Sequence, residues 1–240
     1  MEAGVPLLKR ARPLTDSELA GIPWLGVLDG AAQQLALDGL KAATAQAGDY
    51  LCRIGREPTY WFGVIDGLLK MSNDDSVSPP LTFTGVPPGA WFGEGTLLKH
   101  EPYRYNILAL RKSNVAGLPI ATFHELLETS LPFTRYVLSL LNERLGQFIA
   151  AREIDRLNDT NSRVARGLAA MFHPILYPGV GKLLRITQTE LGYVIGLSRQ
   201  RVNEALQALQ SEGLISIEYG GLRVIDLEAL RRYHAVQPAA

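Results

Sequence analysis

The segment "ELGYVIGLSRQRVNEAL", residues 190–206, constrains the fold of this chain more tightly than any other stretch. Thr187 can cap a first helix whose apolar residues Leu191, Val194 and Ile195 stand at helical spacing. Ser198 can cap a second, along which Val202, Ala205, Leu206 and Leu209 continue the same period. Gly196 lies between them, so one helix must stop and another restart almost at once. With each residue advancing about 100° around a helix, the second helix turns Gln200, Glu204 and Gln207 away from its apolar face. Asn203 lies beside them, and Arg199 and Arg201 flank them.

That outer face carries the donors and acceptors that base edges in a major groove demand. Arginine matches guanine, glutamine or asparagine matches adenine, and a carboxylate accepts from cytosine. Ser198, at the positive end of the helix dipole, suits a phosphate. A solvated helical hairpin would also show a polar face. The coincidence of cap, glycine turn, polar first turns and a following strand pair favours a DNA reader. Charge points weakly the same way: residues 160–240 carry nine Lys or Arg against six Asp or Glu in a chain of net charge +0.

The pattern upstream is different. Thr15 and Glu18 form a potential capping box for a short first helix, and "DGAAQQLALDGLK" fits a second. Residues 44–118 then give brief apolar runs, with glycines at 48, 55, 67, 85, 89 and 93 and prolines at 87 and 88 where strands would reverse. This predicts an antiparallel sandwich or barrel, with "SNDDSVSPP" as an exposed hairpin loop. Residues 123–159 read as one long helix. Its seam of Leu138, Leu141, Leu145 and Phe148 can pack on the chain's own sandwich or on a second copy, with Asn142, Glu143, Arg144 and Arg152 lying elsewhere. A further helix is expected over 163–172, and "HPILYPGVGKLLRI" reads as turns with short apolar pieces. "GLISIEYGGLRVIDLEAL" predicts two short strands around Gly220 and Gly221, then a terminal helix near Asp226.

Several function classes are excluded. No apolar run approaches the roughly 18 residues of a membrane span, and the N-terminus mixes acids and bases without a signal-like apolar core. A single cysteine, Cys52, permits no intrachain disulfide and cannot hold an iron-sulfur cluster; burial as a small apolar residue is its expected role. His100, His124, His173 and His234 are scattered without metal-ligand spacing, which leaves a haem on His100 as an isolated idea and predicts no metal site. A cupin-like β-barrel enzyme, the alternative from another class, would need clustered histidines with a carboxylate. No nucleophile elbow or phosphate-binding loop of the Walker type occurs. A cytoplasmic protein that is not an enzyme is expected.

Residues from about 20 to 232 resemble one family. "ITQTELGYVIGLSRQRVNEALQALQSEGLISIEYGGLRVID" is similar to the winged helix-turn-helix of the bacterial Crp/Fnr transcription regulators. "AGDYLCRIG", "VIDGLLK" and "PGAWFGEGTLL" resemble their cyclic-nucleotide-binding β-roll. The resemblance implies an α+β chain in three parts. Residues 1–122 would hold N-terminal helices and a jelly-roll-like antiparallel β-roll sensor, 123–159 a long dimerisation helix and hinge, and 160–240 the winged helix-turn-helix. It further implies a homodimer on double-stranded DNA with a pseudo-palindromic operator, and RNA polymerase as a partner if the protein activates. By position, Arg199, Gln200 and Glu204 match the family's base readers, with Arg201 and Asn203 secondary, and Gln188, Thr189 and Ser198 match its phosphate contacts.

The resemblance also implies an effector pocket. Gly93, Glu94 and Arg104 fall in register with the family's phosphate cassette, where amides and a guanidinium hold a phosphate and a carboxylate takes a ribose hydroxyl. Tyr105 stands where a small hydroxyl residue would help, and Phe148 and Ile149 where nucleotide-binding relatives present polar groups. Two readings stay open. A cyclic nucleotide or other small effector binds, or Tyr105 fills the pocket, Glu94 pairs with Arg104, and the protein regulates without a ligand.

Overall fold

The structure is a computed structural model and describes residues 11–74 and 81–234. The first ten residues of the expected leaderless N-terminus, and most of the expected loop "SNDDSVSPP", lie outside the described residues. By internal packing the chain divides into two compact units. The first comprises the described residues up to 143 with Ile175–Gly179, and the second 144–174 with the described residues from 180 onward.

In the first unit, α1 (Asp16–Ala20) starts at the Thr15–Glu18 capping box and α2 (Gly30–Gly39) at Asp29, whose carboxylate accepts from the Ala32 amide. The strands are β1 (Lys41–Ala45), β2 (Tyr50–Cys52), β3 (Tyr60–Asp66), β4 (Leu69–Asn73), β5 (Leu81–Val86), β6 (Trp91–Phe92), β7 (Asn106–Ala109) and β8 (Ser113–Pro119). They pair antiparallel in two four-stranded sheets, ordered β1-β8-β3-β6 and β2-β7-β4-β5. Consecutive strands often fall in opposite sheets, so the chain rolls between layers around one apolar core. That core closes on Trp24, Trp61, Trp91, Phe123 and Phe133, all buried, with Trp61 and Trp91 centroids 4.6 Å apart. Gly63 permits this approach, since a Cβ there would lie 2.3 Å from the Trp91 ring. Gly85, expected at a reversal, instead lies inside β5 opposite Lys70, because that strand runs on to Val86 and the chain turns at Pro87–Gly89.

The single helix expected over 123–159 is two. α4 (Ile120–Thr129) ends at Ser130, whose φ of −122° and ψ of 99° are extended, and α5 (Leu131–Asp155) restarts at once. The Phe133 amide donates to the Ser130 hydroxyl at 3.4 Å, and Pro132 occupies an early position that needs no donor. The seam expected along α5 packs on the sandwich only in part: Leu141 is half-buried, with its side chain beside Gly95. Phe133, Val137 and Leu140 are the buried face of α5, whereas Leu138 and Leu145 are 59% and 60% exposed. The stretch Ile175–Gly179, expected only to turn, packs against the sandwich: Leu176 and Tyr177 are buried, and the Gly179 backbone lies against Gly89.

The second unit holds α6 (Thr160–Ala170), β9 (Leu183–Leu184), α7 (Gln188–Ile195), α8 (Arg199–Ser211), β10 (Ile215–Glu218), β11 (Gly221–Val224) and α9 (Leu227–Arg231). α6 begins three residues before the expected position because Asp159 caps it, accepting from the Ser162 amide at 2.6 Å. β11 is central in a small antiparallel sheet ordered β10-β11-β9, and the hairpin turns at Tyr219 and Gly220.

Candidate nucleic-acid interface and effector cradle

α7 starts from a complete capping box: the Glu190 amide donates to the Thr187 hydroxyl at 3.1 Å, and the Thr187 amide to the Glu190 carboxylate at 2.7 Å. It stops at Gly196, whose φ of 72° is left-handed and open to glycine without strain. Ser198 then caps α8, its hydroxyl accepting from the Arg201 amide. Gly192 is a residue the sequence reading missed. A Cβ there would stand 2.7 Å from the Leu197 carbonyl oxygen, so the bare backbone lets the turn close over α7. Its signal was the glycine inside "ELGYVIG", which local helix rules only penalise.

Val202, Ala205, Leu206 and Leu209 are buried, and this orients the rest of α8. Arg199, Gln200, Arg201, Glu204 and Gln207 are exposed, as are Thr189 and Ser198, while Gln188 and Asn203 are half-buried. Two side-chain bonds sort the outer face. The Gln200 amide donates to Glu204 at 3.0 Å, joining two of the expected base readers across one turn. The Gln188 amide donates to Asn203 at 2.7 Å, tying α7 to α8. Asn203 therefore bridges the pair of helices. On the hairpin, Arg223 and Glu218 form an exposed ion pair that lowers the Glu218 pKa through the guanidinium hydrogen bond.

The first unit contains the cassette expected to hold an effector. Gly93, with φ 99° and ψ −3°, turns the chain into α3 (Glu94–Lys99), and Glu94 is 1% exposed. Arg104 does not join it. Its side chain is 77% exposed and pairs with Glu101 at 2.8 Å, so the expected Glu94–Arg104 ion pair is not formed. Tyr105 is half-buried, and Tyr103, unremarked in the sequence reading, is buried beside Gly93. A Cβ on Gly93 would meet the Tyr103 ring at 3.8 Å and its hydroxyl at 3.9 Å. Tyr103 stacks edge-on with Tyr105 at 5.9 Å between centroids. Burial pushes the Tyr103 phenol well above its ordinary pKa and raises the Cys52 thiol to about 12, the Tyr103 hydrogen bond opposing the latter. Both groups are thus neutral packing at physiological pH, which accords with the apolar role expected for Cys52. Phe148 is half-buried and Ile149 exposed, and both belong to the second unit.

His100 and His124, scattered in sequence, stack in the first unit with centroids 4.5 Å apart. Among the described residues no group of three or more His, Cys, Asp or Glu is arranged to hold a metal ion. No helix among them is long and apolar enough to cross a membrane.

Comparison with known proteins matches both halves. Residues 43–130 fit the cyclic nucleotide-binding domain model, and residues 162–233 the Crp-like helix-turn-helix domain model. The chain is 29% identical over 176 residues to the transcriptional regulator SdrP of Thermus thermophilus, covering 71% of this chain and 81% of that protein. It is 24% identical over 175 residues to the cAMP-activated global transcriptional regulator CRP of Haemophilus influenzae, covering 69% and 75%. The structure of FixK2 from Bradyrhizobium japonicum shares the fold with a TM-score of 0.67 at 15% identity, covering 83% of this chain and 99% of that one. With a cyclic-nucleotide-binding-like β-roll ahead of a DNA-binding helix pair, the chain belongs to the Crp/Fnr family of transcription regulators.

Proposed function

We propose that this regulator acts as a homodimer that sets two copies of α8 in successive major grooves of a pseudo-palindromic operator. Arg199, Gln200 and Glu204 read base edges, Arg201 and Asn203 assist, and Gln188, Thr189 and Ser198 hold phosphates. The observation that carries this reading is the exposure of Arg199, Gln200 and Glu204 on the first turns of a helix whose opposite face is fully buried. Dimerisation is supported by the exposed side of α5, where Leu131, Leu138 and Leu145 recur every seven residues and Ile149 follows one turn on. The parts are a sensor over 1–122, a dimer helix and hinge over 123–159, and a reader over 160–240. Chromosomal DNA as the target puts the protein in the cytoplasm, with RNA polymerase as a further partner where it activates.

The β-roll modulates DNA binding through a small effector that favours one arrangement of the dimer helix over another. The cassette of Gly93, Glu94 and Arg104 receives the anionic end of that effector, and Phe148 and Ile149 stand at the helix positions where nucleotide-binding relatives present polar groups. The placement of Tyr103 against Gly93, with Arg104 turned to solvent, favours a second reading in which the hollow is filled and control is ligand-independent. Selection of bound sites from a random DNA library, with and without cyclic nucleotides, tests both. Half-sites recurring one DNA turn apart, about 34 Å, support the dimeric reader, whereas single unpaired sites overturn it. Identical affinity with and without every nucleotide, none of them binding, removes the nucleotide reading and leaves DNA recognition standing.

A further inference from the structure

We propose that the stacked His100–His124 pair is a proton-operated latch, closed when both rings are neutral, whose opening changes operator affinity. The pair joins two helical segments of the first unit. His100 ends α3, the helix that begins at Gly93 and Glu94, and His124 sits on α4, which leads through Ser130 into α5. The rings lie 4.5 Å apart and 18° from parallel. Such a face-to-face arrangement suits two neutral imidazoles and directs their nitrogen lone pairs side by side, where they do not converge on one metal ion.

Two features at this contact oppose a charged ring, and the backbone of His100 sets that residue apart. His100 has φ 53° and ψ 41°, making it the one non-glycine residue in the left-handed region among the described residues. His100 is exposed, and its amide donates to the Leu97 carbonyl at the end of α3. His124 Nε2 is buried with no hydrogen-bond partner, so a proton added there finds no acceptor. The second ring stands directly over the first, so charging both sets like charges in contact.

The groups acting on the His124 charge are His100, from the turn after α3, and Glu128, one turn further along α4. Burial and then His100 lower its pKa from 6.5, and Glu128 offsets part of this. The closed latch binds a proton less readily than a free imidazole, so its stabilising effect is present in full above about pH 6.5 and declines as the pH falls below that. Inside the latch, Phe123 meets His124 edge-on at 5.6 Å and packs on Trp61 at 5.2 Å and on Phe133 of α5 at 5.7 Å. Separation of the rings therefore disturbs the packing around Trp61 and the start of α5.

The test compares the full-length protein with His124→Phe, which keeps a stacking ring that cannot titrate, and His100→Asn, which tolerates the left-handed backbone without a ring. Tryptophan emission and imidazole proton shifts are followed from pH 8 to pH 5, and operator affinity is measured over the same range. We expect a sigmoidal emission change below pH 6.5 in the parent that both variants lose, together with an affinity change of about fivefold that His124→Phe abolishes. Superimposed emission profiles in all three proteins overturn the latch. So does an emission change in the parent with no accompanying change in operator affinity. Should both variants fail to fold, the parent's imidazole shifts decide: coupled titration of the two rings supports the latch, and two independent ordinary titrations overturn it. The affinity arm rests on the DNA-binding reading, whereas the emission and shift arms do not, so failure of one is distinguishable from failure of the other.

Discussion

The reader around α8 and the cradle around Gly93 are built on opposite plans. In the reader, one buried stripe of Val202, Ala205, Leu206 and Leu209 leaves Arg199, Gln200, Arg201 and Glu204 of the first turns exposed. In the cradle the polar residues are divided: Glu94 is buried, Arg104 turns to solvent, and the space against Gly93 is taken by Tyr103. A surface that binds an extended polyanion can be prepared by helix periodicity alone. A concave site must be assembled from residues far apart in sequence, and there a single aromatic ring from the same chain competes with the ligand for the space.

The largest expected effect strikes the cradle. Tyr103→Ala removes a buried aromatic ring and should cost about 3 to 5 kcal/mol of stability in the first unit, seen in denaturant unfolding. If the ring is what closes the cradle, the variant also gains measurable binding of a cyclic nucleotide by calorimetry. Destabilisation with no gain in binding would place the obstacle elsewhere. In the reader, Gly192→Val should cost about 3 kcal/mol, because the added Cβ meets the Leu197 carbonyl and backbone cannot step aside as a side chain can. Operator binding should be lost with it, and a wild-type melting profile would show that the close approach is not required.

Arg199→Ala is expected to leave folding intact and cost about 1 to 3 kcal/mol of operator affinity, with relaxed preference at one base pair. A uniform loss over all sequences, accompanied by a shallower salt dependence, would make Arg199 a phosphate contact. The smallest effect lies at the capping box of α1. There the Arg12 guanidinium holds the Glu18 carboxyl down to about 2 from 4.5, so its contribution is complete above pH 4.5 and is lost as the pH falls through about 2. Glu18→Gln should flatten that part of the stability curve of the first unit, by under about 1 kcal/mol. Thermal unfolding between pH 2 and 5 that is the same for parent and variant would show the pair to be a surface ornament.

Local rules reached far into the second unit. The caps at Thr187, Ser198 and Asp226, the left-handed stop at Gly196 and the buried face of α8 all follow from side chains acting on their own backbone within four residues. The same rules overran at Ser130, where the apolar period continues through the break and only the serine cap and Pro132 betray it. They were silent on Gly192 and on Ile175–Gly179, because a close approach or a return to the sandwich has no periodicity.

For this protein the sequence by itself determined the order of a strand-rich sensor, a long helix and a polar-faced reader, and the residues that reader displays. Those features depend on near neighbours, whose spacing is written along the chain. Only the tertiary structure decided that Tyr103 lies against Gly93, that Arg104 belongs to Glu101, and that His100 meets His124. Each of these depends on which side chain reaches a shared space once the sheets have closed, and no local rule carries that outcome.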